Sequence, residues 1–200
     1  MLTHYLEINC KTPPNETGWM LGKVFQQVHG FLSANEKDSI ALALPNIKAN
    51  HPGDSMRLFG SAEELEQLLL NTRLLQLEAG GAIEIIPVQP VPRHTSFAVY
   101  VRNRQSDKGS SAQLRKRMKR YLKHLANKGV EIDPVQVEER RKRLSSAYKD
   151  DRAFISLISQ STGQHFQLGI IQKIMPTANL GNFSSYGLAN GQNPATVPLF

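Results

Sequence analysis

Cysteine is nearly absent: the 200-residue chain has one, Cys10. A lone thiol closes no internal disulfide, and it leaves no Cys/His set of the kind that holds zinc. A free thiol suits a reducing compartment. Long apolar runs are missing as well. No stretch reaches the roughly 18 apolar residues that mark a membrane helix. The opening Met1 to Glu7 has neither the basic start nor the apolar run of a secretory signal. The expectation is a cytoplasmic protein with no membrane partner. No period of solenoid length recurs. What remains is a hydrophobic fraction of 40% with 20% charged residues, enough to bury the core of one large or two small globular domains.

Acidic residues are scarce in one place. Between Arg102 and Lys128 stand ten basic residues and a single acid, Asp107. This window holds the whole positive excess of a chain whose formal net charge is +7. Charge so one-sided is the footprint of a polyanion binder, against the plainer reading of a solvated helix face.

The elements around it follow from periodicity. His4 to Asn9 alternates as a strand. Pro13-Pro14 breaks the chain, and Met20, Val24, Val28 and Phe31 mark a helix over Gly18 to Phe31 with Gly30 near its stop. Ser39 to Leu44 and Ser55 to Phe59 read as strands. Ser61-Ala62-Glu63-Glu64 has the form of a capping box, and Leu65, Leu68, Leu69 and Leu75 continue a helix toward Gly80-Gly81. Ala82 to Val88 and Phe97 to Arg102 are strand-like. Strand, helix, two strands, helix, strand is the ferredoxin-like order, also used by RNA-recognition modules. The fold expected is therefore α+β: a ferredoxin-like domain over residues 1–105, then a smaller α+β domain over 106–200. The second contains a basic helix over about 112–127, ended by Gly129. Leu114, Met118, Leu122 and Leu125 give that helix an apolar stripe for packing on the protein. Arg115, Lys116, Lys119, Arg120 and Lys123 lie on its outer faces. A balanced helix, Val135 to Ala147, reads as structural. Phe154 to Ser159 and His165 to Ile171 suit two strands, and the Gly-, Asn-, Ser- and Pro-rich tail from Ala178 suits loops.

The turn between those strands, Ser159-Gln160-Ser161-Thr162-Gly163-Gln164-His165-Phe166, gathers hydroxyls, amides, an imidazole and an aromatic. Such residues favour a tight hairpin. They also suit a phosphate and ribose cradle, with Phe166 able to stack on a base.

At this point the chain resembles the repeat-processing endoribonucleases of type I-F CRISPR systems. The residues that carry the resemblance are His4-Tyr5-Leu6-Glu7-Ile8, Val28-His29-Gly30, the run Ser159 to Phe166, Phe183-Ser184-Ser185-Tyr186-Gly187-Leu188 and Pro198-Leu199-Phe200. The resemblance implies a metal-independent enzyme with no cofactor. Such an enzyme binds a repeat hairpin and cuts at the 3′ base of the stem by 2′-hydroxyl attack, leaving a 2′,3′-cyclic phosphate. It stays on the crRNA beside the other subunits of a type I-F surveillance complex. His29 then matches the catalytic histidine, an imidazole able to take a hydroxyl proton near neutral pH. Ser159 matches the serine that holds the attacking ribose, and Tyr186 the tyrosine that positions the histidine. Ser161 and Thr162 match positions near the scissile phosphate, and Phe166 the aromatic on the last base pair. Arg102 or Arg104, with Gln105, match an arginine and a glutamine that read stem bases. Without the resemblance, His29 is a helix-terminal or core histidine and Tyr186 a packed phenol.

The basic helix departs from its relatives, which are richer in arginine. Lys116, Lys119 and Lys123 intervene here, and Tyr121 falls near where a further arginine is expected. Lysine acts as a point charge and arginine as a planar fork, so the departure bears on base-specific contact. Two rival readings stand beside the nuclease. One is a non-catalytic RNA-hairpin-binding subunit of a ribonucleoprotein, which a missing catalytic residue would favour. The other is a basic structural protein, which would spread its charge over both ends.

Overall fold

The computed structural model is described over residues 2–35, 38–94, 96–103, 111–130, 133–146, 153–158, 163–190 and 194–200. Strand β1 (His4–Cys10) turns Leu6 and Ile8 into the core. Helix α1 follows over Pro14–Ala34, longer at both ends than its periodicity suggests. Pro14 opens it instead of blocking it, because a proline in the first turn gives up an N–H that has no partner there anyway. Gly30 does not end it. Strands β2 (Ala41–Ala43) and β3 (Ser55–Gly60) come next. The Ser61/Glu64 capping box is present and opens α2 (Ala62–Leu69). The apolar pattern beyond Leu69 belongs to a separate helix, α3 (Thr72–Ala79). It starts anew because the Asn71 side-chain oxygen accepts from the N–H groups of Arg73 and Leu74. Strand β4 (Ile83–Pro90) completes a four-stranded antiparallel sheet in the order β2-β3-β1-β4. That is the ferredoxin-like order expected of this stretch.

A second four-stranded sheet contains β5 (Ser96–Arg102), β6 (Ala153–Ile158), β7 (His165–Met175) and β8 (Val197–Leu199), in the order β6-β7-β5-β8. Its first strand lies between the third and fourth, with the second outside, so the permutation of the first sheet recurs. Two helices, α4 (Ser111–Asn127) and α5 (Pro134–Ser146), occupy its first crossover. The tail is not only loops, as its composition suggests. Val197 pairs with Ala98, and Phe183, Leu188, Ala195 and Val197 are buried. Three residues are too short a strand to show a period, and their pairing is set by distant β5.

Both sheets contribute to one core, and α1 joins them. Leu21, Val24, Phe25, Val28 and Leu32 are buried along it, and so is Gly22, where β6 comes close. A Cβ at Gly22 would meet the backbone carbonyl of Ser156. One turn further on, Gln26 Nε2 donates to the Ile158 carbonyl at 2.5 Å. Tyr100 is a second bolt between the halves. Its hydroxyl donates to the Leu44 carbonyl at 3.3 Å and accepts from Gln172 at 2.7 Å, and burial raises its pKa above the ordinary phenol value. A third is Arg57, which meets Glu7 Oε2 through Nε at 2.8 Å and Nη2 at 2.7 Å, and donates through Nη1 to the Phe200 carbonyl at 2.9 Å.

The apolar stripe of the basic helix packs mainly on its neighbouring helix. Leu114, Met118, Leu122 and Leu125 are only half-buried, and α4 packs on α5. Among the described residues no helix is long and apolar enough to cross a membrane.

The close approach at Gly22 has a measurable consequence. Alanine is better than glycine inside a helix by about 1 kcal/mol, and a Cβ at Gly18 meets nothing within 4 Å. Gly18→Ala should therefore raise stability by about 0.5 to 1 kcal/mol. Gly22→Ala should lower it by about 1 to 3 kcal/mol through overpacking. Urea unfolding of the two variants checks this, and a stabilised Gly22→Ala would show that α1 and β6 are not in contact there.

Candidate functional site

The segment from Phe183 to Leu188 is a turn fastened on three sides. Ser184 N–H donates to the Leu188 carbonyl at 2.8 Å and Gly187 N–H to the Ser184 carbonyl at 2.7 Å. Gly187 has φ +68°, and a Cβ there would stand 2.9 Å from that of Leu42, so position and conformation both call for glycine. The Gly187 carbonyl accepts from Leu42 N–H in β2 at 2.7 Å. Ala189 N–H donates to the Tyr100 carbonyl in β5 at 2.8 Å, and Phe183 N–H to that of Asp38 at 3.0 Å. These bonds present the Ser185 carbonyl and the Tyr186 ring to the C-terminal end of α1.

His29 meets both. Its Nδ1 is 2.7 Å from the Ser185 carbonyl oxygen. A carbonyl can only accept, so Nδ1 carries the hydrogen, and in the neutral ring the lone pair is on Nε2. Ser33 Oγ is 3.3 Å from the same Nδ1. The Tyr186 ring lies flat on the imidazole, with centroids 4.1 Å apart and 7° between planes. Phe25, one turn before His29, stacks on Tyr186 at 6.0 Å, and the Arg102 guanidinium carbon is 5.6 Å from the Tyr186 ring centre. His29 and Tyr186, 157 positions apart in the sequence, are thus held together by a backbone bond and a stack.

The remaining sequence candidates divide. Gln26 ties the end of β6 at Ile158 to the turn of α1 that precedes His29; Ser159, the next residue, lies outside the described residues, as do Ser161, Thr162, Arg104 and Gln105. Phe166 pairs with Leu157 across β6 and β7 and is half-buried against the core, while His165 beside it is exposed. Arg102 stands with Tyr186. Arg115, Lys116, Lys119, Arg120 and Lys123 are all exposed, and none is paired with a carboxylate among the described residues. Ser185 contributes through its backbone, which no residue type announces. Phe25 and Ser33 fall at i−4 and i+4 from His29, a spacing that could have flagged them.

Other parts of the molecule offer less. Among the described residues no group of three or more His, Cys, Asp or Glu side chains could hold a metal ion. A polar cavity of about 430 Å³ lined by Cys10, Thr12, Lys48, His51 and Asp54 opens at the other end of α1. Burial, with the Asp54 carboxylate adding to it, pushes the Cys10 thiol up to about 11, so it is protonated at neutral pH and is a poor nucleophile.

Comparison with known proteins agrees with the resemblance drawn from the sequence. The chain is 30% identical over 205 residues to the CRISPR-associated endonuclease Cas6/Csy4 of Pseudomonas aeruginosa (strain UCBPP-PA14), covering 100% of both chains. Among solved structures it aligns with Csf5, a type IV Cas6 crRNA endonuclease, at 10% identity over 98% of each chain; the TM-score of 0.31 is too low to bear on the fold. The family model described as CRISPR-associated protein (Cas_Csy4) matches residues 5–200. With that match over all but its first four residues, and the endonuclease likeness over its whole length, the chain belongs to the Cas_Csy4 family of CRISPR-associated proteins.

Proposed function

We propose that this protein is a metal-independent endoribonuclease that binds a CRISPR repeat hairpin, cuts pre-crRNA at the 3′ base of the stem and stays on the product as a subunit of a type I-F effector complex. The observation that carries the reading is His29. Its Nδ1–H is committed to the Ser185 carbonyl and its ring is clamped by Tyr186, so Nε2 is the atom left to accept a proton.

In the proposed reaction His29 Nε2 takes the proton of the 2′-hydroxyl upstream of the scissile phosphate. The 2′-oxygen attacks phosphorus in line, the bond to the 5′-oxygen breaks, and that oxygen takes up a proton. The products are a 2′,3′-cyclic phosphate and a 5′-hydroxyl. Ser159 holds the attacking ribose, since in-line geometry must be imposed before attack. Tyr186 acts through its ring as a positioning residue. Ser161 and Thr162 lie near the scissile phosphate, Phe166 stacks on the last base pair, and Arg102 or Arg104, with Gln105, reads stem bases. The exposed cations of α4, Arg115, Lys116, Lys119, Arg120 and Lys123, take the stem backbone and keep the product bound. A short stem suits them, because the A-form major groove is reachable near a helix end.

Four measurements test the proposal. In excess EDTA the protein should cut a repeat hairpin at one site and leave a copy with a 2′-deoxy nucleotide upstream of the cut bound but whole. Binding of both without cutting would leave a non-catalytic RNA-hairpin subunit. His29→Ala should lose cleavage by about 10²- to 10⁴-fold, the worth of a general base, with affinity within a few-fold. Because Tyr186 meets His29 through its face, Tyr186→Phe should keep most activity and Tyr186→Ala should lose it; equal loss in both would shift the role to the hydroxyl. Replacing Arg115, Lys119 and Arg120 by Ala should flatten the dependence of log affinity on log salt by roughly 0.7 to 0.9 per lost phosphate contact. An unchanged slope would take α4 out of the interface.

A further inference from the structure

The seam between α4 and α5 is not wholly apolar. On the α5 side Val137 and Leu144 are half-buried, and Arg140 stands between them on the same face. Its guanidinium carbon is 4.1 Å from the centre of the Tyr121 ring of α4. Arg140 is exposed, and no carboxylate pairs with it among the described residues. The neighbouring Arg141, by contrast, is 3.7 Å from Glu138.

This arrangement is unlike a cation in open water. Stacking uses the face of the guanidinium and leaves its N–H edge free. The ring also holds the planar group in place, so less rotamer freedom is lost when a partner arrives. An edge with parallel N–H groups matches the paired oxygens of a phosphate. It sits on a hairpin whose other helix carries five exposed cations that meet no carboxylate among the described residues, so the local field attracts the same ligand.

We propose that Arg140, held on the Tyr121 ring, is a further contact to an RNA-stem phosphate, making the interface the α4–α5 hairpin and not α4 alone. The proposal rests on the reading of the chain as a repeat-hairpin ribonuclease. It assigns to α5 a binding role that its balanced composition hides, and to Tyr121 the role of a platform.

Binding of the full-length protein to the repeat hairpin, followed as a function of salt, tests it. Arg140→Ala should weaken binding about tenfold, the scale of one charge-assisted contact, and reduce the salt slope by about 0.7 to 0.9. Tyr121→Ala should weaken binding comparably, the double variant should be no worse than either single one, and Tyr121→Phe should bind as the parent does. Arg141→Ala removes the same charge from the same helix and should stay within about twofold, its charge being exposed and already paired. An Arg140→Ala variant with a lowered melting temperature but the parent's affinity and slope would overturn the proposal and make the stack a fastening of the hairpin. Loss of affinity in Arg140→Ala equal to that in Arg141→Ala would overturn it too. If replacing Arg115, Lys119 and Arg120 also left RNA binding unchanged, the whole hairpin would leave the interface; the nuclease reading itself would fall only if the parent failed to cut the repeat hairpin, and if Arg140 alone were silent that reading would stand.

Discussion

The two sheets and the site at His29 are hung on α1. The helix is buried against the β1 sheet and, at Gly22, touches the backbone of the second sheet. Few residues can do this. A side chain at Gly22 would push the sheets apart, and an apolar one at Gln26 would lose the bond to Ile158. The same helix ends one turn beyond His29, so the contact that sets the spacing of the two halves also sets the height of the imidazole against the turn that receives it. Each fully buried leucine or phenylalanine on that helix contributes about 1.5 to 3 kcal/mol, which fixes α1 far more firmly than the single bond at Nδ1 could.

The two tasks proposed for this chain fall to parts of it with opposite physics. His29 is half-enclosed, bonded through a backbone carbonyl and stacked on an aromatic face, so its orientation is determined before any ligand arrives. Arg115, Lys116, Lys119, Arg120 and Lys123 of α4 are the reverse: exposed, and on a helix none of whose described side chains is fully buried. Rigid placement suits proton transfer, where geometry decides rate. Exposed charge suits a polyanion, where affinity comes from releasing counterions.

The sequence carried the first sheet almost whole. Period-two and helical patterns found each of its strands and the capping box at Ser61. What they could not show was long-range. Leu69 and Leu75 read as one helix because apolar spacing does not register the Asn71 cap, and β8 was hidden because three residues have no period. The site was legible unevenly. His29 and Tyr186 were named through resemblance, and the structure brings the two rings together. The bond that orients His29 was out of reach, since it comes from the backbone of Ser185, where any residue type would serve. Helical spacing did point at an apolar stripe on α4, but not at its partner, because α5 presents an arginine at its seam.

The bond between His29 and Ser185 closes over 156 residues, whereas only six residues separate α4 from α5. Contacts of high sequence separation form late and are lost early, because closing a long loop costs entropy that only the completed fold repays. The arrangement around His29 is therefore a property of the finished molecule alone. The positive charge of the α4 and α5 side chains needs no such closure, so a loosened chain would keep its cationic segment after it had lost the geometry at the imidazole.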